Sequence, residues 1–134
     1  MQTKLGWPMS DAPDGWPFRH SIRVRYQEID MQRVVFNAHY LAYCDEVMAA
    51  WLTEAFGWSV IEDRIDWMLV KLLLEWQGSA TFGEVLDIDC GIVRWGTTSF
   101  DVAFRGSGRE SSGVHCHHHV RVRHAWDHGE GACA

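Results

Sequence analysis

Residues 38–56 carry a helical repeat whose apolar arc is too wide for a helix on an open surface. Leu41, Cys44, Met48, Trp51, Leu52 and Ala55 share one broad face, and Ala42 and Val47 widen it. Asp45, Glu46, Thr53 and Glu54 leave a narrow polar stripe. A helix this apolar has to be covered on most sides. Gly57 gives it a stop.

The rest of the chain offers strands to do the covering. Ile22, Val24 and Tyr26 alternate with Arg23, Arg25 and Gln27, the period of a half-buried strand. After the helix, Met68, Val70, Leu72, Leu74 and Trp76 alternate with Leu69, Lys71, Leu73 and Glu75, so both faces of that strand should be mostly covered. Leu86, Ile88, Cys90 and Ile92 alternate with Asp87 and Asp89. Trp95-Gly96-Thr97 supplies a turn, and Phe100, Val102 and Phe104 form a further alternating run. The order is strand, long helix, then several antiparallel strands, with no internal repeat. It reads as α+β, an antiparallel sheet curled around one central helix. The domain is expected over residues 18–134, behind an irregular arm at residues 1–17 that lacks the features of a signal peptide.

At 134 residues the chain is expected to be one domain, and 47% hydrophobic content is ample for its core. Eight tryptophans are more than such a core needs, so part of that surface is expected at a subunit interface, in a homodimer or homotetramer. A net charge of −6 gives no basic footprint for nucleic acid. No apolar run is long enough to span a membrane. Cys44, Cys90, Cys116 and Cys133 show no CxxC spacing, and a reduced, cytoplasmic protein is the expectation.

Between the first strand and the helix stands one acid, Asp30, followed by a short turn, an apolar trio (Val34, Val35, Phe36), then Asn37, Ala38, His39 and Tyr40. A helix start presents unpaired N–H groups and a partial positive charge. A carboxylate beside such donors, with an apolar wall, suits attack on a polarised carbonyl. The plainer reading makes Asp30 a turn former, Asn37 a helix cap and His39 an ordinary first-turn residue. Asp45 and Glu46 read as solvated or interfacial, Glu75 and Glu84 as structural.

This stretch resembles the opening signature of hotdog-fold thioesterases of the 4-hydroxybenzoyl-CoA type. The signature reads aromatic, x, Asp/Glu, x, Asp, x, x, Gly, then Val, aromatic, Asn or His, Ala, His or Asn, Tyr. Tyr26, Glu28, Asp30, Val35, Phe36, Asn37, Ala38, His39 and Tyr40 fall on it. Phe82-Gly83-Glu84 and Arg94–Phe100 extend the likeness more weakly, over about residues 18–106. The family's glycine is Arg33 here, so the turn must form without glycine's freedom at positive φ.

The resemblance implies an acyl-CoA thioesterase with Asp30 as nucleophile or general base, helped by Asn37 and His39. Oxyanion contacts would come from backbone N–H groups near His39 to Leu41. Val35, Phe36, Tyr40 and Leu41 would touch an apolar substrate carried on CoA or acyl carrier protein. The site would lie between subunits and needs no cofactor or metal. Two alternatives share the fold. A hotdog enoyl-thioester hydratase expects a closely spaced Asp and His, whereas Asp30 and His39 stand nine apart. A non-catalytic acyl-thioester binder would lose the acid, and Asp30 is present. There is no G-x-S-x-G elbow, Walker loop or dinucleotide fingerprint.

The tail is atypical from about residue 107. His115-Cys116-His117-His118-His119 brings metal-binding types together. On a strand, however, only alternate residues share a face, so adventitious affinity is the better reading than a zinc site. Relatives usually end in a strand like Val-Phe-Thr-Ala-Thr-Ile-Thr-Tyr-Val-Cys-Val. Reading the codons one base forward from Gly113 permits that whole string, so the segment from about residues 107–113 onward reads as an out-of-frame translation. In the present frame it should form its strand with His118 and His124 weakening the inner face.

Overall fold

The computed structural model describes residues 15–59, 67–110 and 113–126, apart from the side chains of residues 109–119 and 126. Most of the expected N-terminal arm, Cys133, and the side chains of Cys116 and the histidines from 115 to 119 lie outside the described residues. The elements are β1 (Phe18–Arg23), a 3-10 turn (Tyr26–Glu28), α1 (His39–Phe56), β2 (Trp67–Trp76), β3 (Val85–Trp95), β4 (Ser99–Glu110) and β5 (Gly113–Trp126). The strands form one antiparallel sheet in the order β1-β3-β4-β5-β2. The sheet curls around α1, the architecture expected from the alternation of periods.

The helix ends where Gly57 adopts the left-handed conformation (φ 64°), its N–H donating to the Thr53 carbonyl at 2.9 Å. Its buried stripe is Tyr40, Tyr43, Cys44 and Val47, with Met48 and Trp51 packed at the margin. Leu41 and Leu52 are only half-buried and Ala55 is exposed, so the face is rotated from the one anticipated. Tyrosines occupy its centre because the Tyr40 hydroxyl has a buried partner, the Ala80 N–H, at 3.2 Å. Leu86, Ile88, Cys90, Phe100, Val102, Phe104, Val120 and Val122 complete the core.

Two expectations are corrected. The first strand stops at Arg23, and Tyr26 is 77% exposed on the 3-10 turn. Glu28 forces that turn by accepting hydrogen bonds from the Arg25 backbone N–H (2.8 Å) and guanidinium (3.0 Å). Secondly, β2 is not covered on both faces within the chain. It is an edge strand, bulged between Leu69 and Lys71, with β5 as its neighbour. Met68, Leu69, Val70, Leu73 and Trp76 are 36–43% exposed. Continuous apolar sequence looks the same whether its cover comes from this chain or from another.

The sheet's other face carries ion pairs. Asp89 is held by Arg19 (2.7 Å) and Arg105 (2.8 Å). Asp101 is held by Arg94 (3.2 Å), Arg121 (2.9 Å) and Arg123 (2.8 Å). Burial alone would raise both carboxyls, but the guanidiniums outweigh it and hold them below the usual range. As translated, the tail therefore pairs in register, with Val120 and Val122 inward and Arg121 and Arg123 outward. His124 sits inward too, stacked on Phe100 at 5.1 Å, and its Nδ1 has no partner among the described residues.

Candidate active site

The chain doubles back between Ile29 and Phe36. Ile29 pairs with Val35, the Asp30 N–H donates to the Val34 carbonyl (2.9 Å), and the Phe36 N–H donates to the Glu28 carbonyl (3.0 Å). Asp30 begins the turn between the two arms. Its carbonyl accepts from the Arg33 N–H (3.0 Å) and its Oδ1 from the Gln32 N–H (2.7 Å). Arg33 then takes φ 66°. A turn followed by a left-handed residue closes a three-residue hairpin loop. The turn thus forms without glycine, with an arginine held in glycine's conformation.

Asp30 is half-exposed at the edge of an open depression of about 720 Å³. Tyr26 and Phe82, edge-on at 6.2 Å, flank it with Arg33 and Thr81. Tyr26 and Arg33 stand within the signature and Phe82 in its weaker extension, but neither these nor Thr81 were expected as site residues. Thr81 and Phe82 come from the β2–β3 connection, joined to Val34 by an isolated bridge that no local pattern announces.

The helix start differs from the expectation. Ala38 is the N-cap, no side chain caps it, and Asn37 is exposed. The His39 N–H donates to the Phe36 carbonyl (3.0 Å) and the Tyr40 N–H to the Asn37 carbonyl (3.3 Å). The N–H groups of Asn37 and Ala38 make no hydrogen bond among the described residues. Of the expected donors, the N–H groups of His39 and Tyr40 are thus engaged, while those of Asn37 and Ala38 stand open just before the first helical residue. The His39 ring lies edge-on to Phe36 at 6.1 Å. Phe36 is 51% exposed and Leu41 half-buried, whereas Val35 and Tyr40 lie in the core at 2% and 1%. Cys44 and Cys90 are buried, and desolvation pushes both thiols up, Cys90 to about 12, which makes neither a nucleophile. Among the described residues no group of three His, Cys, Asp or Glu is placed to hold a metal ion.

The profile of the Thioesterase-like superfamily matches residues 24–129, and the chain belongs to that family. A search of curated proteins returns no match. The 4-hydroxybenzoyl-CoA thioesterase from Pseudomonas sp. strain CBS-3 superposes with a TM-score of 0.76 at 16% identity, covering 86% of this chain and 87% of that one. A 1,4-dihydroxy-2-naphthoyl-CoA thioesterase from Synechocystis gives 0.69 at 20% identity, covering 81% and 80%. The dynemicin thioesterase gives 0.74 at 14%, covering 80% and 77%. The hotdog fold follows from these superpositions, and the profile match spans the signature and continues into the atypical tail as far as residue 129.

Proposed function

We infer that the protein hydrolyses acyl-CoA thioesters, with Asp30 supplying the carboxylate of the reaction. One observation carries this. In a member of the Thioesterase-like superfamily, a half-exposed acid lines an open depression on the doubled-back segment that leads directly into two unspent N–H groups at the helix start. In the proposed reaction the Asn37 and Ala38 N–H groups, with the first turn of α1, hold the carbonyl oxygen as it gains negative charge. Either Asp30 takes a proton from a water that attacks the carbonyl carbon, or its carboxylate attacks that carbon itself, expels the thiolate and forms an acyl-enzyme anhydride that water then hydrolyses. The carbon–sulfur bond breaks, the acyl group leaves as the free acid and CoA as the thiol. Asn37 and His39 border the acyl thioester, and Phe36 supplies apolar contact.

Two of the neighbours named above are CoA thioesterases, which supports CoA as the carrier, with acyl carrier protein as the alternative. The exposed apolar edge of β2 supports a homodimer or homotetramer with the site between subunits. Buried, unbridged Cys44 and Cys90 accord with a reducing, cytoplasmic setting, and no helix among the described residues is long and apolar enough to cross a membrane. The test is CoA release from a panel of acyl-CoAs, measured as free thiol. Turnover that disappears in Asp30→Asn supports the reading. No release from any acyl-CoA overturns it.

A further inference from the structure

The chain departs from the signature at Arg33, where an arginine stands in place of glycine. The backbone has nevertheless kept glycine's conformation, with φ at 66°. A side chain at that angle is a steric cost, and strain of this kind gathers at functional sites.

The backbone of Arg33 is pinned on both sides. Its N–H donates to the Asp30 carbonyl (3.0 Å), and its own carbonyl accepts from the Thr81 hydroxyl (3.1 Å). A turn closed by such a bond holds its first and fourth Cα atoms within about 7 Å. The Arg33 side chain thus starts close to Asp30 and reaches the same depression of about 720 Å³.

Among the described residues that line this depression, Asp30 carries the only negative charge and Arg33 the only positive one. The two form no ion pair with each other, and the exposed Arg33 guanidinium has no partner among the described residues. Six other arginines are spent on Glu28, Asp89 or Asp101. Tyr26, Ile29 and Phe82 supply an apolar wall between the charges and the rim.

We propose that Arg33 selects the acyl group. The depression takes an acyl chain that ends in a carboxylate, with its methylenes along Tyr26, Ile29 and Phe82 and its terminal carboxylate on the Arg33 guanidinium. The assignment rests on the thioesterase reading above. A guanidinium matches a carboxylate through two parallel hydrogen bonds. The phosphates of CoA would also suit it, but they lie at the far end of the pantetheine arm from the sulfur. With the thioester carbonyl at Asp30, that arm would have to fold back on itself to bring a phosphate to Arg33. A carboxylate a few carbons beyond the carbonyl needs no such fold. Without Arg33, the same carboxylate would meet only the charge of Asp30.

The test compares substrates matched in carbon number, glutaryl-CoA with pentanoyl-CoA and adipyl-CoA with hexanoyl-CoA, by CoA released as free thiol. In the wild type kcat/KM should favour the carboxylate-bearing member of at least one pair by about tenfold or more. Added salt should shrink that ratio, because the guanidinium is exposed. In Arg33→Gly the ratio should fall below one, as Asp30 then repels the unpaired carboxylate. Arg33→Asn repeats the test with a second residue that tolerates the left-handed region. A ratio near one in both wild-type pairs, or hydrolysis of neither carboxylate-bearing substrate, overturns the selection. So does a preference that survives in both folded variants. Variants that slow both members of a pair alike would assign the guanidinium to CoA itself and overturn it too. The thioesterase reading stands in each of these cases. Wild-type protein that releases CoA from neither these nor any other acyl-CoA removes both.

Discussion

The Thr81 hydroxyl donates a 3.1 Å hydrogen bond to the carbonyl of Arg33, the residue that closes the Asp30 turn in a left-handed conformation. Thr81 in turn is fixed by the Glu84 carboxylate, which accepts its backbone N–H at 3.0 Å. The turn that carries the acid is thus fastened to the β2–β3 connection, 48 residues away in sequence.

The Arg33 conformation gives the first prediction. A residue with a Cβ at positive φ costs roughly 1–2 kcal/mol, partly offset by the flexibility glycine adds to the unfolded chain, about 0.5–1 kcal/mol. Arg33→Gly should raise stability by up to about 1 kcal/mol. A fall in the urea midpoint would show that the Arg33 side chain braces the folded turn.

Asp30→Asn separates chemistry from turn formation. Asparagine keeps an oxygen for the Gln32 N–H, so the Asx turn should survive and Tm should change little. Turnover should fall by about a hundredfold or more, the scale of losing a general base. Near-normal turnover in a stable variant would leave Asp30 with the turn alone.

Light scattering at micromolar concentration should show a dimer or larger assembly. Val70→Pro, at the bulge where β2 skips a partner in β5, puts a residue that cannot donate into the open edge strand and should shift the protein towards monomer while lowering CoA release. A wild-type monomer with full activity would contradict a site between subunits.

Acid should destabilise the protein in two stages. Burial lowers the pKa of His124 in the folded state from 6.5, so the unfolded chain binds its proton first. The stability this provides is complete above about pH 6.5 and is lost as pH falls from there. Glu28, Asp89 and Asp101 are desolvated, but their arginine partners hold them below the ordinary carboxylate range. Their contribution is present above about pH 4 and decays as pH drops through their folded values. Urea midpoints from pH 8 to 3 should fall in both windows. His124→Phe should remove the first, and a flat midpoint between pH 8 and 5 in the wild type would contradict it.

The tail prediction is read from DNA. The coding sequence, shifted one base forward from the Gly113 codon, should spell the family-like strand through the eleven codons to Arg123. A stop codon among them overturns the frame reading. The buried His124, with Nδ1 unpartnered among the described residues, is the poor fit expected on the inner face.

Much of this was legible in the chain because it rests on periodicity. The 3.6-residue repeat ending at Gly57 and the alternation through Leu86–Ile92 and Phe100–Phe104 define helix, strands and core. The edge position of β2 was not legible, because apolar residues on both faces of a strand do not say which molecule covers them. Nor were the donors at Asn37 and Ala38. The turn that spends the His39 N–H on Phe36 is set by a carbonyl from Glu28, across the doubled-back segment.

β2 also governs how the protein ends its working life. A copy separated from others presents an unpaired row of backbone donors and acceptors beside five half-exposed apolar side chains. Such a surface templates further strands of any chain that meets it. Heating should therefore cause loss of assembly and irreversible aggregation together. The practical measure of durability becomes a half-life at a stated temperature that shortens with concentration, not an equilibrium melting point.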